Sequence, residues 1–151
     1  MGTKPSTSSP NTTPDDSATQ PVAPHVNDVA AETGLNVALL VGQLVAEPES
    51  RTLPSGSCAV SFSLTVRTPG AKTTSVPAVW YDPPKRVQRW ASGDVVIAQG
   101  SVVRRFFQTG AGLGSATEVV VQRGELIRHH GKAAALRQRT EDLVAQLHAG
   151  P

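Results

Sequence analysis

Cysteine is almost absent from the chain: Cys58 is the only one in 151 residues, which excludes an internal disulfide framework and any multi-cysteine zinc site. Aromatic residues are scarce too, at 4%, with two Trp, one Tyr and three Phe. A function that rests on ring surfaces therefore has few residues to draw on. No apolar run approaches the roughly 18 residues that a membrane-crossing helix requires. The N-terminus carries Lys4 with no apolar segment behind it, so a signal peptide is not supported and the expectation is a cytoplasmic protein without a membrane partner. With 38% hydrophobic and 17% charged residues, the length suits one ordinary domain plus extensions.

The mild net charge of +2 hides an asymmetry. Residues 1–33 hold Lys4 against Asp15, Asp16, Asp28 and Glu32, a net of −3, whereas residues 34–131 hold ten Lys/Arg against six acids, a net of +4. A basic body behind an acidic arm points toward a polyanionic partner. The arm contains nine Ser/Thr between Thr3 and Thr19, five prolines up to Pro24, and no Leu, Ile, Phe, Tyr or Trp. Such a segment cannot bury enough apolar surface to offset its ordering entropy, and residues 1–33 are predicted to be a disordered tail.

From Leu35 the texture changes to β-branched and apolar runs separated by Gly, Pro, Ser and Thr, the pattern of short strands and turns. Cys58–Arg67 alternates strictly: Cys58, Val60, Phe62, Leu64 and Val66 share one face and Ala59, Ser61, Ser63, Thr65 and Arg67 the other, as in an antiparallel strand with one wet face. Further strands are predicted at Leu35–Val45, Val76–Tyr81, Asp94–Phe107 and Ala116–Arg128. Thr52–Ser57 is read as a turn and Gln108–Ser115 as a Gly-rich hairpin tip. Gly42 and Gly100 fall inside strands, which suits the sharp bends of a small closed barrel. Pro83–Ser92 has the make-up of about two helical turns, with Val87 and Trp90 on one face. After Gly131, Lys132–Ala149 is predicted to be helical, with Leu136, Leu143, Val144 and Leu147 in one stripe. It packs either on its own barrel or on another subunit.

Catalytic and metal chemistry find little support. Gly110–Gly114 lacks the following Lys-Ser/Thr of a nucleotide loop and joins two strands. The neighbouring His129 and His130 point differently and have no ligand cluster beside them. Cys58 is expected to be a buried, inert thiol. No nucleophile triad or carboxylate pair stands out, so the expectation is a protein that is not an enzyme and needs no cofactor or metal.

Asn36–Glu49 (NVALLVGQLVAEPE), followed by Arg51, Pro54, Gly56, Val60, Phe62 and Leu64, resembles the opening of bacterial single-stranded DNA-binding proteins. The landmarks continue in order through Gly93-Asp94-Val95-Val96, Gly100 and Thr117–Val121, covering about 95 of the 151 residues. Arg104-Arg105-Phe106-Phe107, with a tryptophan just before a Gly-Asp turn, is similar to a divergent, actinobacterial branch of that family. Five strands with a short helix between the third and fourth is also the order of the OB-fold. The expected organisation is a tail over residues 1–33, an OB-fold domain over 34–129 and a C-terminal helical extension over 130–151.

The resemblance implies sequence-nonspecific binding of single-stranded DNA, its protection in replication, recombination or repair, and a homo-oligomer at the nucleoid, a tetramer in the family with a dimer the other option. It places stacking on Trp80 and Phe107 and phosphate contacts on Arg105, Arg67 and Lys72, with Arg104 beside them, each stacked base contributing roughly 1 to 3 kcal/mol. Trp80 has the alternative of a core or interface residue, and Arg104 that of a solvated charge or a subunit contact. Trp90 is read as packing on the barrel. Phe106 is the ring expected inside, with Phe107 outside. Lys85, Arg86 and Arg89 are read as a wet helix face. Two departures stand out. The loop Thr68–Ser75 is short and lacks the family's further tryptophans, and the family's acidic C-terminal tip has no counterpart in Leu147–Pro151. They keep open a rival reading, an OB-fold module for protein interaction or assembly with weak or no DNA binding.

Overall fold

The computed structural model describes residues 2–3 and 34–148. The expected disorder of residues 4–33 and the last residues of the helical extension, 149–151, lie outside the described residues. From Leu35 onward the chain forms one unit. It contains strands β1 (Ala38–Leu44), β2 (Glu49–Thr52), β3 (Cys58–Val66), β4 (Thr74–Tyr81), β5 (Val95–Thr109) and β6 (Gly112–Leu126), followed by helix α1 (His130–His148). The fold is thus mostly β with one C-terminal helix, as the sequence pattern implies. Among the described residues no helix is long and apolar enough to cross a membrane, and no group of His, Cys, Asp or Glu has the make-up of a metal site.

The strands pair in the order β1-β5-β6-β4-β3-β2, and β1 returns to β3 through Gln43↔Thr65 and Leu44↔Leu64. Five strands therefore close a ring, with β2 as an added edge on β3. Two strand glycines permit that closure. A Cβ on Gly42 would meet Thr65 O at 2.9 Å, and one on Gly100 would meet Val120 O at 2.0 Å, so neither position has room for a side chain. Gly100 also flanks a β-bulge where the β5–β6 register shifts, the device that bends a strand sharply. Asn36 extends the closure beyond β1: its Nδ2 donates to Val102 O at 2.7 Å, and its Oδ1 accepts from Val102 N at 2.8 Å.

Inside the ring lie Val60, Phe62 and Leu64 from β3, Ala78 and Trp80 from β4, Val96 and Ala98 from β5, and Val119 and Val121 from β6. Phe62 meets Trp90 edge-on with centroids 5.9 Å apart, and Trp90 lies 6.1 Å from Trp80. A Cβ on Gly124 would fall 3.0 Å from the Trp80 ring and 3.2 Å from that of Trp90, so glycine there makes room for both indoles. Helix α1 packs on the outer face through Ala133 and Leu136, which cover Ile97 with Ile127 at the margin.

Several expectations need correcting. Segment 83–92 forms one 3-10 turn, Lys85–Arg89, in place of a two-turn helix. Its work is to bury Val87 and deliver Trp90 to the core. Glu49–Thr52 is a strand although its sequence, ESRT, is polar throughout; it pairs residue by residue with β3. The hairpin tip shrinks from eight residues to the two-residue turn Gly110-Ala111, because the ladder continues out to Thr109↔Gly112. Ala59, read as facing water, is fully buried. Its cross-strand neighbours on that face are Arg51 and Tyr81, whose larger side chains flank its single methyl. In α1 the expected stripe holds at Leu136, which is buried with Ala133 and Thr140, but Leu143 and Val144 are exposed, and the side chain of Leu147 lies outside the described residues.

Candidate nucleic-acid interface

β5 and β6 are 15 residues each and outrun the ring. Their distal halves form a two-stranded arm from Arg104–Thr109 and Gly112–Thr117 with water on both sides. Alternation along β5 places Arg104 and Phe106 on one face of the arm and Arg105 and Phe107 on the other. The guanidinium of Arg104 lies over the Phe106 ring, 5.1 Å from its centroid. It also donates to Ser115 Oγ at 3.0 Å, and Ser115 is the cross-strand partner of Phe106. A cation held on one face of an aromatic ring stabilises both groups in place. Phe106 is 63% exposed and Phe107 45%.

The expectation that one of the two rings is core is therefore corrected. The alternation is as expected, but neither face of the arm has a core to enter. The signal that was available is strand length: apolar residues in a hairpin that runs past its barrel meet water on both sides. On the opposite face, the Phe107 ring lies over Gly114, close enough that a Cβ there would fall 2.6 Å from Cε2. This aromatic cover of a glycine strengthens the ladder through the Gly-rich segment. Leu113, next to the tip, is 69% exposed and was not singled out from the sequence.

Trp80 is corrected more sharply. It is 6% exposed and belongs to the ring interior, because its position in β4 shares the inward face with Ala78. It offers no open ring face for a base. Its neighbour Tyr81 is exposed instead, at the point where Asp82, at a φ of 46°, turns the chain and accepts a bond from Cys58 N at 2.9 Å.

The cations divide by partner. Arg105 is ion-paired with Glu118, its Nε lying 2.7 Å from Oε1, and its Nη2 donates a hydrogen bond to Oε2 at 3.2 Å. Arg67 is exposed and donates to Gln43 Oε1 at 3.3 Å. Lys72 is exposed in the loop between β3 and β4. The parallel register Ala78↔Val119 runs β4 and β6 in the same direction. The loop entering β4, with Arg67 and Lys72, and the arm entering β6 therefore leave the sheet at the same end of those two strands. Topology assembles four cations and two exposed rings at one end and withholds Trp80. Arg86, by contrast, is bound to Glu125 at 2.7 Å, away from that end.

No family model matches the sequence, and no curated protein matches it. A crystal structure of a deletion mutant of the single-stranded DNA binding protein from Thermus aquaticus is similar, with a TM-score of 0.51 and 24% identity. The match covers 61% of this chain and 40% of that one, so the chain spans well under half of that protein's length. The likeness is one of fold.

Proposed function

We propose that this chain is an OB-fold protein that binds single-stranded DNA with little sequence preference and without catalysis or a cofactor. The observation that carries the reading is the exposed arm, where Phe106 presents a ring already backed by Arg104. Every base has a π-face, so a ring beside a guanidinium binds strands of any sequence, and the cations of the same end attract phosphates. The fold shared with the Thermus aquaticus protein supports the reading. In this reading Phe106 joins Phe107 as a stacking residue, while Arg104, Arg105, Arg67 and Lys72 meet phosphates. Coating exposed strands in replication, recombination or repair, at the nucleoid, is the role that follows. Self-association as a dimer or tetramer has support in the exposed Leu39 and Val41 on the outer face of β1.

Fluorescence anisotropy of end-labelled oligo-dT, titrated at several salt concentrations, tests this. Binding is expected to be competed by unlabelled single strands far better than by duplex, and its logarithm to fall with log salt by about 0.7 per phosphate contact. Absence of binding at low salt overturns the reading and leaves the exposed arm as a protein-docking element.

A further inference from the structure

The β-bulge has a second effect on the opposite flank of the molecule. Gln99 pairs with Arg123 and Gly100 with Val121, so Gln122 is the extra residue on β6. A bulge resets alternation and re-aims side chains. Gln122 and Arg123 accordingly are both exposed although adjacent, and both line a cleft of about 680 Å³ beneath α1. Gln99, almost buried at its floor, donates from Nε2 to Gln122 Oε1 at 3.2 Å. The opposing wall is α1, anchored through Ala133 and Leu136. Lys132 and Arg139 stand two turns apart on α1, on the same side. They line a connected opening of about 430 Å³ together with Arg123 and Arg86.

The charges in this cleft are unbalanced. Arg86 is neutralised by Glu125, while Asp142, whose carboxylate accepts from the neutral Gln138 Nε2 at 3.0 Å, keeps its negative charge on the lining of the larger opening. Arg123, Lys132 and Arg139 make no ion pair or side-chain hydrogen bond among the described residues. Arg123 and Arg139 line both openings. Three unpaired cations lining these openings from β6 and α1 outweigh the single unpaired carboxylate of Asp142, and a ligand with several anionic oxygens balances the excess positive charge. The volumes fall in the range of small-ligand sites, and guanidinium groups with amide donors beside them suit phosphate oxygens.

We propose that the cleft between α1 and β6 is a binding site for consecutive phosphate groups, with Arg123, Arg139 and Lys132 as the charged contacts and Gln122 as a neutral donor. The phosphates belong either to a nucleic-acid strand or to a free oligophosphate. The site stands independently of base stacking on the arm.

Inorganic tripolyphosphate, titrated into the full chain by calorimetry at low salt, is the probe. The wild type is expected to bind, and Arg123→Gln/Arg139→Gln to lose at least tenfold in affinity. That variant should unfold at the wild-type temperature, since neither side chain makes a bond within the protein. Arg128→Gln/Arg137→Gln removes the same charge outside the cleft and should stay within twofold of wild type. The source of the phosphates is read from oligo-dT anisotropy. If the cleft variant also lowers the salt slope by about 1.4, at about 0.7 per contact, a strand runs through the cleft; if the slope is unchanged, a free oligophosphate is the occupant. The proposal is overturned if the wild type does not bind tripolyphosphate, if the cleft variant binds it as well as wild type, or if the outside pair loses as much. Phe106→Ala leaves tripolyphosphate binding intact, so failure of the stacking reading and failure of the cleft are separate results.

Discussion

The Phe107 ring lies against the backbone of Gly114, its cross-strand partner, so closely that a Cβ at residue 114 would come within 2.6 Å of the ring. One residue away, Phe106 has no such cover and shares its face with Arg104. Adjacent phenylalanines on a two-stranded arm thus have different tasks. Phe106→Ala is expected to weaken oligo-dT binding by about 1 to 3 kcal/mol with no change in thermal midpoint. Phe107→Ala should lower the midpoint as well, by loosening the ladder at Gly114. Anisotropy and thermal unfolding on both variants separate the two effects; an affinity loss confined to Phe107→Ala would assign the platform to the other face of the arm.

Both tryptophans are closed to solvent, Trp80 at 6% and Trp90 at 4% exposed, and their rings contact each other inside the ring of strands. Intrinsic fluorescence is therefore expected to change little when oligo-dT binds, even where anisotropy of a labelled strand shows saturation. Trp80→Ala should cost about 3 to 5 kcal/mol of stability, as for other large core truncations. Strong quenching by oligo-dT in the folded wild type would place Trp80 at the interface after all.

The alternation of β3 from Val60 to Leu64 was legible because burial on one face imposes a period of two that composition cannot mimic, and it failed at Ala59, which is buried on the other face. The inward position of Trp80 was legible in principle by the same rule, since it shares parity with Ala78. The resemblance drew it to the surface because family position carries no information on which face this chain turns inward. The bulge at Gln99/Gly100 left no local pattern: the glycine hinted at a bend, but the extra residue Gln122 lies on the other strand, 22 positions away. For the same reason the cationic cleft under α1 was invisible. It joins Arg123 to Arg139 through a helix packing that depends on Ala133 and Leu136 and not on the longer stripe of leucines.

Gly100 tests ring closure directly. A Cβ there would sit 2.0 Å from Val120 O and 2.8 Å from Val120 C, and backbone on the paired strand cannot swing aside as a side chain would. Gly100→Ala is expected to cost about 3 kcal/mol, the upper end for overpacking. Gly110→Ala is the comparison: nothing lies within 4 Å of its Cβ position, and the change should stay within about 0.5 kcal/mol. Urea unfolding measures both; equal midpoints for the two variants would mean that the β5–β6 ladder yields at the bulge.

Glu118 holds Arg105 with two oxygens and so competes with any phosphate for the same guanidinium. The Arg105 side chain is about half exposed although that of Glu118 is largely buried, and solvent screening on the arginine side keeps the contribution of the pair to about 1 kcal/mol. Glu118→Gln should therefore leave the fold nearly as stable while removing a negative charge from the arm. If Arg105 meets a phosphate, the variant binds oligo-dT several-fold more tightly, and the salt slope steepens by about 0.7, the value of one added contact on a single strand. An unchanged slope would make Arg105 and Glu118 a structural pair that fastens β5 to β6 at the root of the arm, leaving Arg104, Arg67 and Lys72 to meet the strand.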